Sequence, residues 1–243
     1  MRYLILSDIH SNWEALCAVL NHAEGQYDQI VCLGDLVGYG PDPNRVVEWA
    51  QQNLPIIVRG NHDRACIGLD DLENYSLLAG LAAEWTNGVL SSANIDYLRK
   101  LARGPVAVDN FDIVHGSPKD EGQYLSGVSD AEDAFHYART RITFFGHTHI
   151  QGGFQIRQGK VRLVDISGSD NEFELNPDTD YFLNPGSVGQ PRDWNEKAGY
   201  ALFDLANGTV TFRRVEYPFQ TTQKKIRETT LPVELADRLA IGR

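Results

Sequence analysis

Paired thiols are absent from this sequence. Its three cysteines, Cys17, Cys32 and Cys66, are odd in number, far apart and never in a C-x-x-C spacing, which excludes a disulfide framework and a zinc knuckle. A reducing compartment suits such a chain, so we expect the cytoplasm. Long apolar runs are missing too. The amino terminus offers only Tyr3–Leu6 before Ser7 and Asp8, too brief for a signal-peptide core or a membrane span, and no later segment is long and apolar enough either; no membrane association is expected. Positive charge is scarce: 22 Lys+Arg face 33 Asp+Glu, for a formal charge of −11. With no basic run, the chain has little general attraction for nucleic-acid phosphates or anionic membranes, and any anionic ligand must be drawn in locally. Repeats and low-complexity tracts are also lacking.

What remains is ordinary globular composition, 42% hydrophobic and 23% charged over 243 residues, long enough for one substantial core. Tyr3–Leu6, Gln29–Leu33 and Pro55–Val58 read as buried strands, alternating with a helix after Asn12 and another over Arg45–Gln52. Helical patterns follow near Tyr75–Thr86 and Ser91–Leu101, divided around Asn87-Gly88, and this block could overhang a cleft. Val106–Val108 and Phe111–Val114 suggest a hairpin, Asp130–Arg139 a helix and Ile142–Phe145 a strand. Strand composition then dominates at Gly153–Ile156, Lys160–Val164, Tyr181–Leu183, Gly199–Phe203 and Thr209–Arg214. A polar helical tail begins near Thr221, broken at Leu231-Pro232. Alternating β and α followed by a β-rich half predicts an α/β chain of two packed sheets with helices on both outer faces. We expect one domain over residues 1–215, with residues 216–243 as a tail packed on it or extending from it.

Five of the seven histidines lie in short Gly/Asp/Asn segments at predicted strand ends: Asp8-x-His10, Gly34-Asp35, Gly60-Asn61-His62-Asp63, His115-Gly116 and Gly146-His147-Thr148-His149. In an extended chain residues two apart share a side, so Asp8 with His10, and His147 with His149, can each aim into one pocket. Imidazole and carboxylate without thiolate suit first-row divalent ions in a catalytic rather than structural site. Two cations about 3.5–4 Å apart can share a carboxylate and a water and stabilise an in-line displacement at phosphorus. Asp35, alone at its strand end, is the candidate bridge. Two divalent ions facing only Asp8 and Asp35 leave a net positive centre, which binds phosphate despite the acidic exterior.

The ordered set D-x-H, GD, GNHD, H and GHTH resembles the calcineurin-like metallophosphoesterase superfamily, and Asn184-Pro185-Gly186-Ser187-Val188 is similar to a segment of its small bacterial and archaeal phosphodiesterase branch. Five ordered motifs over residues 1–215 are far more specific than any one. The resemblance implies a four-layer αββα sandwich. It implies that Asp8, His10 and His149 hold one metal, that Asn61, His115 and His147 hold the other, and that Asp35 bridges them. It also implies two divalent ions (Mn²⁺ first, with Fe, Zn, Ni or Mg as others), a metal-bridging hydroxide as attacking group, and His62 beside the ester, helping the phosphoryl group or the leaving oxygen. The expected substrate is a small phosphodiester or phosphomonoester.

The chain departs from one branch. Phosphoprotein phosphatases continue the second motif as GDxVDRG, with an aspartate supporting the catalytic histidine and an arginine gripping phosphate; here Gly38 and Tyr39 stand in those places. That argues against phosphoprotein phosphatase activity and against dinucleoside-polyphosphate hydrolysis by that route. Arg64 and Arg192 are the candidate replacements for binding substrate. A non-catalytic metal-binding scaffold is the reading from another class, disfavoured because all seven ligand positions and His62 carry the expected residues. A nuclease is disfavoured by the net charge. His22 and His136 lie outside the motifs and read as exposed or locally bonded, Asn12 as a helix cap, and Asp63 as either a support for His62 or a cap. The Asn184–Val188 turn could either line the cleft with N–H groups or serve as plain turn chemistry.

Overall fold

The computed structural model describes residues 1–166 and 172–243. In chain order its first half runs β1 (Arg2–Leu6), α1 (Trp13–Ala23), β2 (Gln29–Cys32), α2 (Pro43–Asn53), β3 (Ile56–Ile57), α3 (Asn61–Ala65), α4 (Leu77–Val89) and α5 (Ser92–Lys100). Next come β4 (Val106–Val108), β5 (Phe111–Ile113), α6 (Val128–Phe135), β6 (Ile142–Phe144), β7 (Gly152–Arg157), β8 (Lys160–Leu163) and β9 (Glu172–Glu174). The chain ends with β10 (Asp180–Asn184), β11 (Ala198–Asp204), β12 (Thr209–Val215), α7 (Phe219–Arg227) and α8 (Glu234–Asp237).

These strands make two six-stranded mixed sheets, ordered β3-β2-β1-β11-β12-β9 and β4-β5-β6-β10-β7-β8. Strand alternation sets the layers. On β1, Tyr3 and Ile5 point between the sheets and meet Phe111, Phe144, Phe203 and Phe212, while Leu4 and Leu6 point outward beneath α1, α2 and α5. The outer face of the second sheet carries Phe145, Phe154 and Phe182, covered by Ala131 and Ala134 of α6. The result is the expected αββα sandwich. Strands β1, β2 and β3 are parallel, as are β5, β6 and β10, so their carboxyl ends open onto common edges of the sheets. Among the described residues no helix is long and apolar enough to cross a membrane, and all three cysteines are free.

Three local readings are corrected. Helix α4 runs through Asn87-Gly88 and stops at Leu90, because Ser91 caps α5 by accepting from Asn94 N–H. Gly60-Asn61-His62-Asp63 is not a plain loop but the start of the short α3. The helix expected over Asp130–Arg139 stops at Phe135. The tail forms α7 and α8, and its Ile226, Leu231, Leu235 and Leu239 pack on Ala79 and Ala82 of α4 and on Tyr39.

Phe203 is fully buried in the inter-sheet layer. Phe203→Ala is expected to lower unfolding free energy by about 3–5 kcal/mol, measured by denaturant unfolding of cation-free protein.

Candidate metal centre

Each motif residue sits in the turn leaving a strand: Asp8 and His10 after β1, Asp35 after β2, Asn61 after β3, His115 after β5, His147 and His149 after β6. The extended D-x-H and H-x-H geometry expected from spacing is not what aims them. Asp8, His10, Asp35, His147 and His149 all have left-handed backbone, with φ between 47° and 67°. Such conformations cost about 1–3 kcal/mol each and persist only where surrounding contacts enforce them. Those contacts are visible. Asp8 N–H donates to Gly34 O (3.1 Å) and His10 N–H to Asp35 O (3.0 Å). Val188 and Gly189 N–H donate to the Ser7 and Asp8 carbonyls, and Ser187 Oγ donates to Asp8 O at 2.8 Å. The Asn184–Val188 turn is thus a brace for the Asp8 loop.

Asp63 resolves toward capping: its carboxylate accepts N–H from Asp35, Leu36, Val37 and Gly60 at 2.8–3.3 Å, locking α3 to the Asp35 turn. Asn12 likewise caps α1 through Ala15 N–H. His22 bonds Tyr200 OH and His136 bonds its own helix at Glu132 O, both away from the centre.

The centre comprises two donor groups with one shared member. Asp8, His10, Asp35 and His149 converge so that one ligand atom from each lies within 4.8 Å of the others, and Asp35, His115 and His147 do the same. His10 Nε2 is 3.6 Å and His115 Nε2 3.2 Å from the same oxygen, Asp35 Oδ2. His149 Nε2 is 3.3 Å from Asp8 Oδ1, and Asn61 Oδ1 is 3.1 Å from His115 Nε2. The imidazoles are oriented from behind: Nδ1 of His10, His115 and His149 faces the carbonyls of Val37, Leu33 and Gln190 at 2.6–2.9 Å. A nitrogen facing a carbonyl carries the proton, which directs the Nε2 lone pair inward. For His147 it is Nε2 that faces a carbonyl, of Gly122, so its Nδ1 is the free donor.

Burial keeps His10 and His149 well below the usual imidazole range, and lowers His147 to about 3 and His62 to about 4. Burial alone would lower His115 as well, but the adjoining Asp35 carboxylate overcomes it and lifts His115 to about 10. For Asp35 burial opposes ionisation, yet His115, His62 and His10 hold its carboxyl well below the ordinary range. Asp35 Oδ2 is buried and has no hydrogen bond of acceptable geometry. A buried carboxylate oxygen without a donor, ringed by inward-facing imidazole nitrogens, fits divalent metal ions.

Above the centre lies a cleft of about 630 Å³, lined by His62, Asn61 and His147 and roofed by Asn74, Tyr75 and Ala79 of the helical block. His62 donates its N–H to Asp35 Oδ1 (2.8 Å), and its ring lies 4.4 Å from that of Tyr39. Its Nδ1 is buried without a partner, and Gly38 stands beside it, where a Cβ would come within 2.8 Å. The support that an aspartate would give His62 is therefore absent at that position. Arg64 reaches the cleft, but its guanidinium is held by Asp70 and Glu121. Arg192 is not so engaged: it donates to Gln190 Oε1 (3.0 Å) and lies 5.6 Å from the Tyr39 ring centroid. Tyr39, Tyr75, Tyr124 and Arg238 are cleft residues the motifs do not reveal. Tyr124 stacks on His147 at 3.7 Å; Tyr39 closes the second motif, four residues after Asp35, but no fixed spacing connects the other three to the metal motifs.

Gly60 is required at the centre, since a Cβ there would meet Asp35 Oδ1 at 1.9 Å. Gly60→Ala is expected to weaken cation binding about 10–100-fold, measured by calorimetric titration, whereas Gly88→Ala, in open space on α4, should bind as the parent does.

The calcineurin-like phosphoesterase superfamily domain matches residues 1–208. An uncharacterized protein of Methanocaldococcus jannaschii is 34% identical, covering 98% of this chain and 97% of its own. The crystal structure of a metallophosphoesterase from Sphaerobacter thermophilus is similar with a TM-score of 0.84 and 39% identity, covering 100% and 99% of the two chains. A hypothetical protein from Pyrococcus horikoshii shares the fold, with a TM-score of 0.79 at 20% identity over 100% and 98%. The chain belongs to the calcineurin-like phosphoesterase superfamily, and is a metal-dependent phosphoric ester hydrolase.

Proposed function

We propose that this protein hydrolyses a small phosphodiester, or a small phosphomonoester, in the cytoplasm, with Mn²⁺ as the preferred ion. The observation that carries this reading is the single Asp35 oxygen facing both donor groups. Asp8, His10 and His149 would hold one ion, Asn61, His115 and His147 the other, and Asp35 both. Bound there, two such ions supply Lewis acidity toward phosphoryl oxygens and a water of lowered pKa.

The chain's own residues do the rest. His62, at the floor of the cleft next to Asn61, is placed to hydrogen-bond the phosphoryl group or the departing oxygen. Its backbone bond to Asp35 Oδ1 fixes it relative to the centre, so the ester is oriented before the bond breaks. Tyr39 and Tyr75 pack on the His62 ring at 4.4 and 5.6 Å and limit the water around it. A cleft of about 630 Å³ has the size of a small-molecule site. Together with the net charge of −11, it favours small esters over polymeric nucleic acid.

Chelation is expected to abolish turnover, and Mn²⁺ to restore it best in a panel of divalent ions tested on paired model mono- and diesters. His62→Ala should retain two ions per chain by elemental analysis while losing about 10²–10⁴-fold in kcat. A fully active variant would remove His62 from the mechanism, and absence of turnover with every metal would refute hydrolysis of these esters.

A further inference from the structure

The carboxyl-terminal tail enters the cleft. Leu235 and Leu239 are buried against Tyr39 and α4, and this seats Arg238, half-buried, in the cleft wall beside Arg192. The seat is fastened at several points. Thr222 Oγ1 donates to Asn12 Oδ1 (3.0 Å), and Lys225 Nζ pairs with Glu14 (2.6 Å) and Asp42 (2.7 Å). Trp194 N–H donates to Gly242 O at 2.9 Å.

Arg192 and Arg238 share one aromatic platform, their guanidinium carbons 5.6 and 6.0 Å from the Tyr39 ring centroid. This placement suits cation–π contact. Two like charges gathered there repel each other, and burial together with Arg192 makes Arg238 less basic than a free arginine. Among the described residues neither guanidinium is ion-paired with a carboxylate side chain; Arg238 Nε donates at 2.6 Å to the carboxyl-terminal oxygen of Arg243, which occupies one edge of its guanidinium. Three aspartates do line the cleft: Asp70 is held by Arg64 and Tyr75, Asp71 accepts the Glu73 N–H and Asp120 the Gly122 N–H.

The two arginines differ in depth. The charge of Arg192 bears on Asp8, His10, His62 and His149, whereas Arg238 interacts with Arg192, Tyr39 and Arg243. The inner cation also sits beside the centre through its backbone, Arg192 N–H donating to His149 O at 3.3 Å, while Arg238 meets the same Tyr39 ring from the tail. We propose that Arg238 forms an outer anion subsite, so that the substrate carries a second anionic group, phosphate or carboxylate, beyond the scissile phosphoryl group held near Arg192. This rests on the phosphoester reading above and deepens it: the tail supplies specificity. A planar guanidinium suits either anion through paired N–H donors.

The test uses three non-hydrolysable probes on Mn²⁺-loaded full-length protein, with metal content verified after each titration: methylphosphonate, with one anionic group, and phosphonoacetate and methylenediphosphonate, each with two. Calorimetry on the parent protein is expected to show at least one two-anion probe binding about tenfold or more tightly than methylphosphonate, and the tighter of the two identifies carboxylate or phosphate as the second group. R238Q should remove most of that preference. R238K, which keeps the charge but loses the planar fork, should retain part of it, separating loss of the cation from loss of tail packing. R192Q should weaken all three probes. Equal affinity for the three probes in the parent, or an undiminished preference in R238Q, would overturn the subsite. Absence of ester hydrolysis alongside an Arg238-dependent preference would instead fault the phosphoester reading and leave the subsite standing.

Discussion

The Asp35 carboxylate is the constraint on which the rest of the molecule turns. Its two oxygens have different duties: Oδ1 accepts the His62 N–H at 2.8 Å, and Oδ2 faces the imidazoles of His10 and His115. Those imidazoles come from different sheets, His10 after β1 and His115 after β5, so one side chain joins both halves of the sandwich. Buried like charge and dipole at such a point destabilise the fold unless answered. Here the answer is a ring of imidazole nitrogens, with His115 closest to the carboxylate, and, behind them, backbone carbonyls that orient the rings. The αββα layering serves this arrangement by bringing the carboxyl ends of two sets of parallel strands to one rim.

Strain is concentrated at the same place. Five of the cation donors adopt left-handed backbone, a conformation disfavoured for residues with a Cβ. Regular packing on both faces of both sheets offsets that cost: Leu4 and Leu6 lie under the helices while Tyr3 and Ile5 lie between the sheets. The strained residues are bonded to one another, His10 N–H to the Asp35 carbonyl and His147 N–H to the Asp8 carboxylate. The geometry is therefore held by mutual contact and not by any single element.

Much of this was legible in the sequence. Strand positions followed from short apolar runs ending in Gly-Asp or Gly-Asn, and the donors followed from histidines gathered at those ends. The reason they converge is not legible, because residue spacing carries no information on the sign of φ; an Asp-x-His reads identically in an extended or a left-handed chain. The short α3 is hidden because Asp63 caps it from inside the motif through the Gly60 N–H, while the same carboxylate holds the Asp35 turn 28 residues earlier. Gly38 and Tyr39 were noticed as departures, and the structure gives them consequences: His62 Nδ1 lacks a partner there, and Tyr39 becomes the ring around which the cleft is built. Arg238 had no signal at all, since a lone arginine in a polar tail looks like any solvated charge.

The fastening of the tail bears on how the cleft is put together. Every candidate cation ligand lies before residue 150, whereas Arg238 lies in the tail. The outer wall arrives only with α8, which docks on α4 and Tyr39. The candidate ligands and the outer wall thus come from distant parts of the chain, and between them lie Ser187, Val188, Gly189 and Gln190, on which the ligand loops depend for their bracing.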